Sequence, residues 1–278
     1  MNLFHISFSD KSFYKSQQEL VKSALRFGIN NTIIYNDLWL RNQISFYDQN
    51  KTILQQKRGA GFWLWKPFII LDALKKINEN DVLIYTDSGS LFINSITDLI
   101  NLLNFNDIIL FNNNDHTNQI WTKRDCFFYM NCDYSSFHES NQIVASYIVC
   151  KKTPFVVNLI TEWLFYAQDP RILTDMSNTC GLSNLKGFIE HRHDQSILSI
   201  LAHKYKIELF RDPSQWGNKF KHIRYREEGE FVENGKYIDD AFPNSNYATI
   251  LNSHRIKYKL TFKDQLDYML SHFKYKVS

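Results

Sequence analysis

The sequence predicts an α/β fold in which a mostly parallel sheet is covered by helices. The chain opens with a short apolar run at residues 3–8, an amphipathic segment at 14–27 and a β-branched run at 32–35. That strand–helix–strand order is typical of a parallel sheet. The alternation returns when a helical pattern from Pro67 leads into the apolar run 82–85. A chain of 278 residues, 44% of them hydrophobic, can bury the core that such a fold needs.

The later elements follow from the same periodicities. Gly28 is a natural stop for the first helix, and Pro67 fits the first turn of the next because it lacks a backbone N–H. The remaining predicted strands span residues 108–111, 143–150 and 207–210, and the remaining helices span 155–166, 195–203 and 262–273. With no repeat and no low-complexity linker, we expect one domain over 1–278, in which about 212–278 form an irregular C-terminal segment and a closing helix.

Composition excludes several classes of protein. The formal net charge is +3 without any run of Lys or Arg, so we expect no nucleic-acid partner. The four cysteines show no CxxC spacing, which argues against a zinc knuckle or a redox motif. No signal peptide opens the chain, and no stretch reaches the ~18 apolar residues of a membrane span. We therefore expect a cytoplasmic protein, with peripheral contact to the inner membrane face left open.

Asp87 is the first candidate for chemistry. It follows the predicted strand 82–85 within the turn Thr86-Asp87-Ser88-Gly89, and ligands of open α/β sheets bind just beyond the carboxyl ends of strands. A carboxylate beside small residues can reach a divalent metal or a ribose. The alternative is a turn aspartate that hydrogen-bonds its own backbone.

A second candidate segment, GAGFWLWKP at residues 59–67, precedes the helix that leads to Asp87. Its two glycines predict a pliable loop. Trp63 and Trp65 offer flat faces for a base or sugar, and Lys66 brings a cation near a helix N-terminus, where it can meet phosphate. The alternative is that both tryptophans fill the core while Lys66 is solvated.

The third candidate is His191-Arg192-His193-Asp194-Gln195, directly before a predicted helix. Asp194 either caps that helix, contributes to an active site, or does both. His191 and His193 have a spacing seen in metal sites, but no further Cys or His accompanies them locally, so a zinc site is not expected there.

The fourth candidate segment, residues 252–257, places an imidazole and two cations late in the chain. His254 could complete a metal shell, and Arg255 or Lys257 could neutralise a departing diphosphate. A solvated basic turn is the alternative.

These motifs together resemble a known family. YTDSG (85–89) resembles the DxD-type motif of GT-A glycosyltransferases, HRHDQSIL (191–198) resembles the Asp-Gln helix start of several such families, and His254 is placed like the C-terminal metal-binding histidine of some retaining members. The chain, from its first strand to about residue 257, resembles bacterial polysaccharide-type enzymes of the nucleotide-diphospho-sugar superfamily. It departs from the motif at Gly89, where the family has a second acid. Either His254 and the diphosphate complete the metal shell, or Lys66, Arg255 and Lys257 take over the task of the cation.

The resemblance implies a GT-A-like fold and transfer of a hexose from a nucleoside-diphosphate sugar to a hydroxyl of a glycan or glycolipid, in surface polysaccharide synthesis. It implies catalytic roles for Asp87 and Asp194, a divalent Mn or Mg ion held by Asp87 and His254, and retention of configuration, which rests on that histidine. Asp194 would hold the donor sugar, or act as general base if the reaction inverts configuration. The predicted donor-binding residues are Trp65, Lys66, Ser88, Gln195, Arg255 and Lys257.

Further residues are assigned on the same resemblance. Trp121 and Arg124 are candidates for acceptor contacts, and Gln142, Ala145 and Ser146 are candidates for lining the donor sugar. Two other functions stay open. One is a non-catalytic nucleotide- or carbohydrate-binding protein of the same fold, which Gly89 favours. The other is an α/β phosphohydrolase that uses Asp87 as its nucleophile.

Overall fold

A seven-stranded sheet forms the centre of the protein in the computed structural model, which describes residues 1–217, 237–239 and 242–274. The strands of the described residues are β1 (Leu3–Ser9), β2 (Asn31–Asn36), β3 (Val82–Thr86), β4 (Ser90–Phe92), β5 (Ile108–Thr117), β6 (Asn141–Ile143), β7 (Tyr147–Lys151), β8 (Leu209–Phe210), β9 (Tyr237–Asp239), β10 (Phe242–Tyr247) and β11 (Leu251–Ser253).

The order of the central sheet is β2-β1-β3-β7-β5-β6, with β8 also paired to β5. Strands β1, β2, β3, β5 and β8 run in one direction, because β1 pairs in parallel with β2 and β3, β5 pairs in parallel with β8, and β7 lies antiparallel to both β3 and β5. Only β6 and β7 of these seven run the other way. The predicted mostly parallel α/β sheet is confirmed. Two small antiparallel pairs, β4 with β11 and β9 with β10, lie outside it.

Helices cover the sheet. Those of the described residues are α1 (Tyr14–Arg26), α2 (Asp37–Arg41), α3 (Ile44–Gln49), α4 (Lys51–Leu54), α5 (Gly59–Phe62), α6 (Trp65–Lys76), α7 (Thr97–Leu102), α8 (Asn118–Trp121), α9 (Arg124–Tyr129), α10 (Ser135–His138), α11 (Pro154–Ala167), α12 (Pro170–Leu173), α13 (Asp194–Lys204) and α14 (Phe262–Lys274). None of them is long and apolar enough to cross a bilayer.

Both faces of the sheet are buried, and every residue of strand β3 is buried. Leu83 and Tyr85 pack into one core with α6, α11 and α13, whereas Val82 and Ile84 pack into a second core with α1 and α7. This alternation is the period-two pattern of a strand with a hydrophobic layer on each side.

One predicted strand is wrong. Residues 143–150 do not form a single strand, because β6 ends at Ile143 and β7 begins at Tyr147. Val144 and Ala145 extend the apolar run into the gap, and the single polar residue Ser146 does not by itself predict a break. The segment that begins at about residue 212 is expected to be irregular, but it contains the strands β9 and β10. Residues 218–236 and 240–241 of this segment lie outside the described residues. The expectation of one domain over 1–278 stays a prediction.

The topology gathers several elements at one edge of the sheet. Because β1 and β3 are parallel, Asp10 and Asp87 follow their carboxyl ends at the same edge. The antiparallel strand β7 starts there, opposite Thr86, and the backbone N–H of Asp87 donates to the Ser146 carbonyl at 2.9 Å. Side chains that are distant in sequence therefore meet at this edge.

Candidate functional site

A cavity of about 430 Å³ opens at this edge of the sheet. Its lining includes eight of the nine residues predicted for catalysis, donor binding or metal binding, and lacks only His254. Charged residues dominate its chemistry, with six basic and three acidic side chains. These are Lys57, Arg58, Lys66, Arg192, Arg255, Lys257, Asp10, Asp87 and Asp194. The cavity thus carries an excess of positive charge, which favours an anionic ligand.

Lys66 lies at the centre of the site and is almost completely buried, with 3% of its side chain exposed. Its Nζ lies 2.8 Å from Asp194 Oδ2 and 3.6 Å from Asp87 Oδ1, and it donates to the Ala145 carbonyl at 3.1 Å. Burial of a charge is tolerated when it is paired in this way. The alternative in which Lys66 is solvated is therefore wrong, and its ammonium contacts the two predicted catalytic carboxylates.

The pKa values of Lys66 and Asp194 depend on burial and on the contact between the two groups. Burial is the largest influence on the pKa of Lys66 and lowers it, but Asp194 and Asp87 together outweigh burial and raise the pKa above its usual value. Burial raises the pKa of Asp194 to about 6, against the opposing effect of Lys66. At neutral pH both groups are charged, and Asp194 is a carboxylate whose pKa is close to physiological pH.

Asp87 is more accessible than its partners, with 33% of its side chain exposed. Its Oδ1 accepts the hydroxyl of Tyr85 at 2.5 Å, and the two residues flank the end of β3. The neighbouring Ser88 is buried, and its hydroxyl donates to the Phe8 carbonyl at 2.5 Å. Contacts with Tyr85 on β3, Phe8 on β1 and Ser146 before β7 therefore fix this turn. Asp87 is the ionisable side chain of the turn.

Asp194 and Gln195 start helix α13. His193, not Asp194, occupies the cap position, and no side chain caps the helix. The capping interpretation of Asp194 is therefore wrong, because its carboxylate turns to Lys66 instead. Gln195 donates to the Gln142 side chain at 2.6 Å, so Gln142 supports a cavity residue and is not itself part of the lining.

The loop before Lys66 has a regular left-handed backbone conformation. Residues 59–63 all have positive φ angles, among them Ala60 at 50° and Trp63 at 59°. They form a left-handed helical turn, in which the Phe62 amide donates to the Arg58 carbonyl at 2.7 Å. Such a turn costs roughly 1–2 kcal/mol for each residue that is not glycine. Backbone strain of this kind clusters at functional sites.

The two tryptophans of this segment have different surroundings. Trp65 is buried and stacks on Phe8 with ring centroids 4.0 Å apart, and its indole N–H donates to the Gly59 carbonyl at 3.0 Å. Its faces are therefore packed by the protein, as in the core-filling alternative, although it contributes to the lining. Trp63 is half-buried and stacks near His193 with centroids 5.6 Å apart, so it is the tryptophan with surface left for a ligand.

Two further strained residues lie at the cavity. His193 has φ 53° and ψ −120° directly before Asp194, and Arg255 has φ 53° beside the Asp87 turn. Four of the eight non-glycine residues with positive φ among the described residues line this cavity: Ala60, Trp63, His193 and Arg255. Strain from three separate segments converges on one site, which supports a functional interpretation.

His254 lies next to the cavity but does not line it. Its backbone N–H donates to the Gly89 carbonyl at 2.9 Å, and its Nδ1 accepts from the Ile256 amide at 2.9 Å. Its Nε2 is buried without a well-aligned hydrogen bond to a described residue. Burial lowers the pKa of this imidazole, so it is neutral at physiological pH.

The other candidate residues lie outside the cavity lining. Trp121 packs under the Arg192 guanidinium, 4.2 Å from its ring centroid, and Arg124 pairs with Asp133 at 2.9 Å. His191 Nε2 lies 2.8 Å from the Ile172 carbonyl. The acceptor roles suggested for Trp121 and Arg124 stay predictions.

Sequence reasoning missed several residues of the site. Arg58, Arg192 and Asp10 line the cavity, and Tyr85 binds Asp87. Tyr85 could have been found from the sequence, because it lies two residues before Asp87 in the strand that leads to it. Arg58 could not be found from the sequence, since it is placed by Asp175 and Glu190, at 3.2 and 3.0 Å, from a distant loop.

The sequence matches no protein-family model and no curated protein sequence. Among solved structures, the chain is similar to mouse xyloside xylosyltransferase 1 in its apo form, at 8% identity, covering 94% of this chain and 100% of that one, with a TM-score of 0.48. It is similar to an active-site mutant of LgtC at 10% identity, covering 96% and 95%, with a TM-score of 0.43. It is also similar to the bifunctional glycosyltransferase WbbM at 14% identity, covering 72% of this chain but only 37% of that one, with a TM-score of 0.43.

All three TM-scores lie below 0.5, so these structures do not define the fold of this chain. The fold rests on the strand pairings of the chain itself. The central, mostly parallel sheet with helices on both faces confirms the predicted α/β architecture.

Proposed function

We propose that the protein is a glycosyltransferase that moves a hexose from a nucleoside-diphosphate sugar to a hydroxyl of a glycan or glycolipid, in surface polysaccharide synthesis. The observation that carries the proposal is the convergence of Lys66, Asp87 and Asp194 in a cavity that is lined by six basic side chains. A nucleoside-diphosphate sugar has an anionic leaving group and a sugar that becomes positive during transfer. The cavity offers groups of both signs.

The roles follow from that charge pattern. When the anomeric C–O bond breaks, its electron pair goes to the diphosphate oxygen, and the acceptor hydroxyl oxygen forms the new bond. Asp87 and Asp194 stabilise the positive charge that develops on the sugar. The basic side chains that line the cavity stabilise the departing diphosphate. In a retaining reaction, which we propose, the acceptor proton passes to the departing phosphate oxygen.

Lys66 acts in this proposal as a positioning residue. Its ammonium is held by two carboxylates and a carbonyl, so it orients Asp87 and Asp194 and keeps Asp194 ionised. Gln195 and Ser88 complete the donor site beside it, and Ala145 and Ser146 leave room for the sugar because their side chains are small.

The test is donor turnover by the purified full chain. A panel of nucleoside-diphosphate sugars is incubated with the protein, and donor hydrolysis and transfer to added glycan or glycolipid acceptors are followed. We expect one donor to be cleaved. Asp87→Asn and Asp194→Asn should each lower that rate by about 100-fold or more, as is typical for groups that act on transition-state charge. Asp48→Asn, an exposed carboxylate outside the lining, is the matched control.

The alternatives give different results in the same assays. Binding of a donor without cleavage, with any acceptor, would indicate the non-catalytic binding protein. Release of phosphate from simple phosphomonoesters, lost on Asp87→Asn, would indicate the phosphohydrolase. If no nucleoside-diphosphate sugar is cleaved or bound, the proposal fails.

A further inference from the structure

The carboxylates around the cavity already have partners within the protein. Asp87 Oδ1 accepts the Tyr85 hydroxyl at 2.5 Å and lies 3.6 Å from Lys66 Nζ, and Asp194 Oδ2 lies 2.8 Å from the same ammonium. Hard divalent cations need several oxygen ligands. The part of the chain that the structure describes has no group of three His, Cys, Asp or Glu side chains that could hold one. Asp87, with one oxygen already engaged, and the single buried Nε2 of His254 make a poor ligand set for such a cation.

The space of the missing second acid is filled by the chain itself. A Cβ atom on Gly89 would lie 2.9 Å from the Arg255 Cα. The backbone N–H groups of His254 and Arg255 both donate to the Gly89 carbonyl, at 2.9 and 2.8 Å. A second carboxylate therefore cannot occupy this position without moving the late segment, which places the backbone and Cγ of Arg255 beside Gly89.

The basic residues that line the cavity fall into two sets. Lys66, Arg58 and Arg192 are ion-paired with carboxylates. Arg255, Lys257 and Lys57 line the cavity, and none of them has an ion pair with a described residue. Arg255 and Lys257 are exposed side chains on one short segment.

Their placement suits a diphosphate. The strained φ of 53° at Arg255 is held by its bond to Gly89, so the guanidinium starts from a backbone fixed beside the Asp87 turn. Lys257 Nζ lies over the Phe13 ring, 5.0 Å from its centroid, and Phe13 also lines the cavity. A guanidinium binds phosphate oxygens in a bidentate manner, and an ammonium adds a point charge.

We infer that the protein binds its donor diphosphate without a divalent cation, and that Arg255 and Lys257 supply the positive charge a cation would otherwise bring. This inference rests on the proposed function and makes one part of it specific. It differs from the prediction that Asp87 and His254 hold Mn or Mg. The leaving diphosphate is then stabilised by side chains that need no loading with metal.

The test is calorimetric titration of the full chain with UDP, GDP, ADP, CDP and dTDP, in EDTA and in excess MnCl₂. We expect one diphosphate to bind with Kd values within about threefold of each other under the two conditions. Arg255→Gly and Lys257→Met should each weaken binding by about tenfold in EDTA, which equals about 1.4 kcal/mol. Glycine suits the positive φ at 255, so this variant should keep its fold.

Lys259→Met is the matched control, because Lys259 is exposed on the same segment but does not line the cavity. Its Kd should equal that of the wild type. Binding that is at least about tenfold tighter in MnCl₂, with the difference abolished by Asp87→Asn, would overturn the inference and leave the proposed function standing. Failure of every diphosphate to bind under both conditions would overturn both.

Discussion

Replacing Lys66 by Met tests the buried charge arrangement directly. Methionine keeps most of the aliphatic volume, so the change removes mainly the ammonium that lies 2.8 Å from Asp194 and 3.6 Å from Asp87. Asp194 is then a buried carboxylate without its nearest cation, and its pKa rises above the value of about 6 that it has beside Lys66. The other titratable groups that act on it are Asp87 and Tyr85.

The size of the effect depends on pH, because Asp194 can bind a proton instead of staying charged. Relative to a folded pKa of about 6, that proton costs about 2.7 kcal/mol at pH 8, at about 1.36 kcal/mol per pH unit. At pH 5 it costs nothing, since Asp194 is already mostly protonated in the wild type. We therefore expect Lys66→Met to lower the free energy of unfolding by up to about 2.7 kcal/mol more at pH 8 than at pH 5.

The assay is urea unfolding of wild type and variant at both pH values. Comparing the variant with the wild type at each pH cancels the contributions of other titrating groups. Lys22→Met is the control, because Lys22 is exposed and its pair with Glu19 is a surface pair, worth at most about 1 kcal/mol. In an Asp194→Asn background the pH dependence should vanish. An equal cost of Lys66→Met at pH 8 and pH 5 would refute the reasoning.

Three further predictions concern the strain and burial around the site. Ala60→Gly should raise the free energy of unfolding by about 0.5–1 kcal/mol in urea, because glycine adopts φ 50° without strain; a loss of stability would contradict the left-handed turn. Gly89→Ala should lower it by about 1–3 kcal/mol, since the new Cβ would lie 2.9 Å from the Arg255 Cα; unchanged stability would show that the late segment yields freely. Burial lowers the pKa of His5 to about 3, whereas the unfolded chain takes up this proton near pH 6.5. The wild type should therefore lose up to about 1.36 kcal/mol per pH unit below pH 6.5 relative to His5→Gln, and parallel acid-unfolding curves would exclude this role.

Much of the fold could be predicted from the sequence because its signals are local. The apolar runs predicted as strands are the buried strands β1 and β3. The helix predicted from Pro67 begins two residues earlier, at Trp65. The strand predicted over 143–150 failed for the opposite reason. One polar residue, Ser146, is too weak a local signal to predict the break, and pairing with neighbouring strands ends β6 at Ile143.

The candidate site divides in the same way. Asp87 and Asp194 were identifiable because each directly follows or starts a regular element. The contact of Lys66 with Asp194 could not be identified from the sequence, because it depends on how α6 and α13 pack. The left-handed turn at 59–63 was also hidden, since two glycines are compatible with many backbone conformations.

The sequence by itself determined the α/β class, the strand-end position of Asp87 and the lack of a second acid at Gly89, since all three depend on neighbouring residues in the chain. Only the tertiary structure decided that Lys66 is buried between two carboxylates, that His254 stays outside the cavity lining, and that Arg255 lies against Gly89. The physical reason is that burial and charge pairing depend on which segments meet in space. Local pattern fixes the elements, whereas their packing fixes the electrostatics of the site.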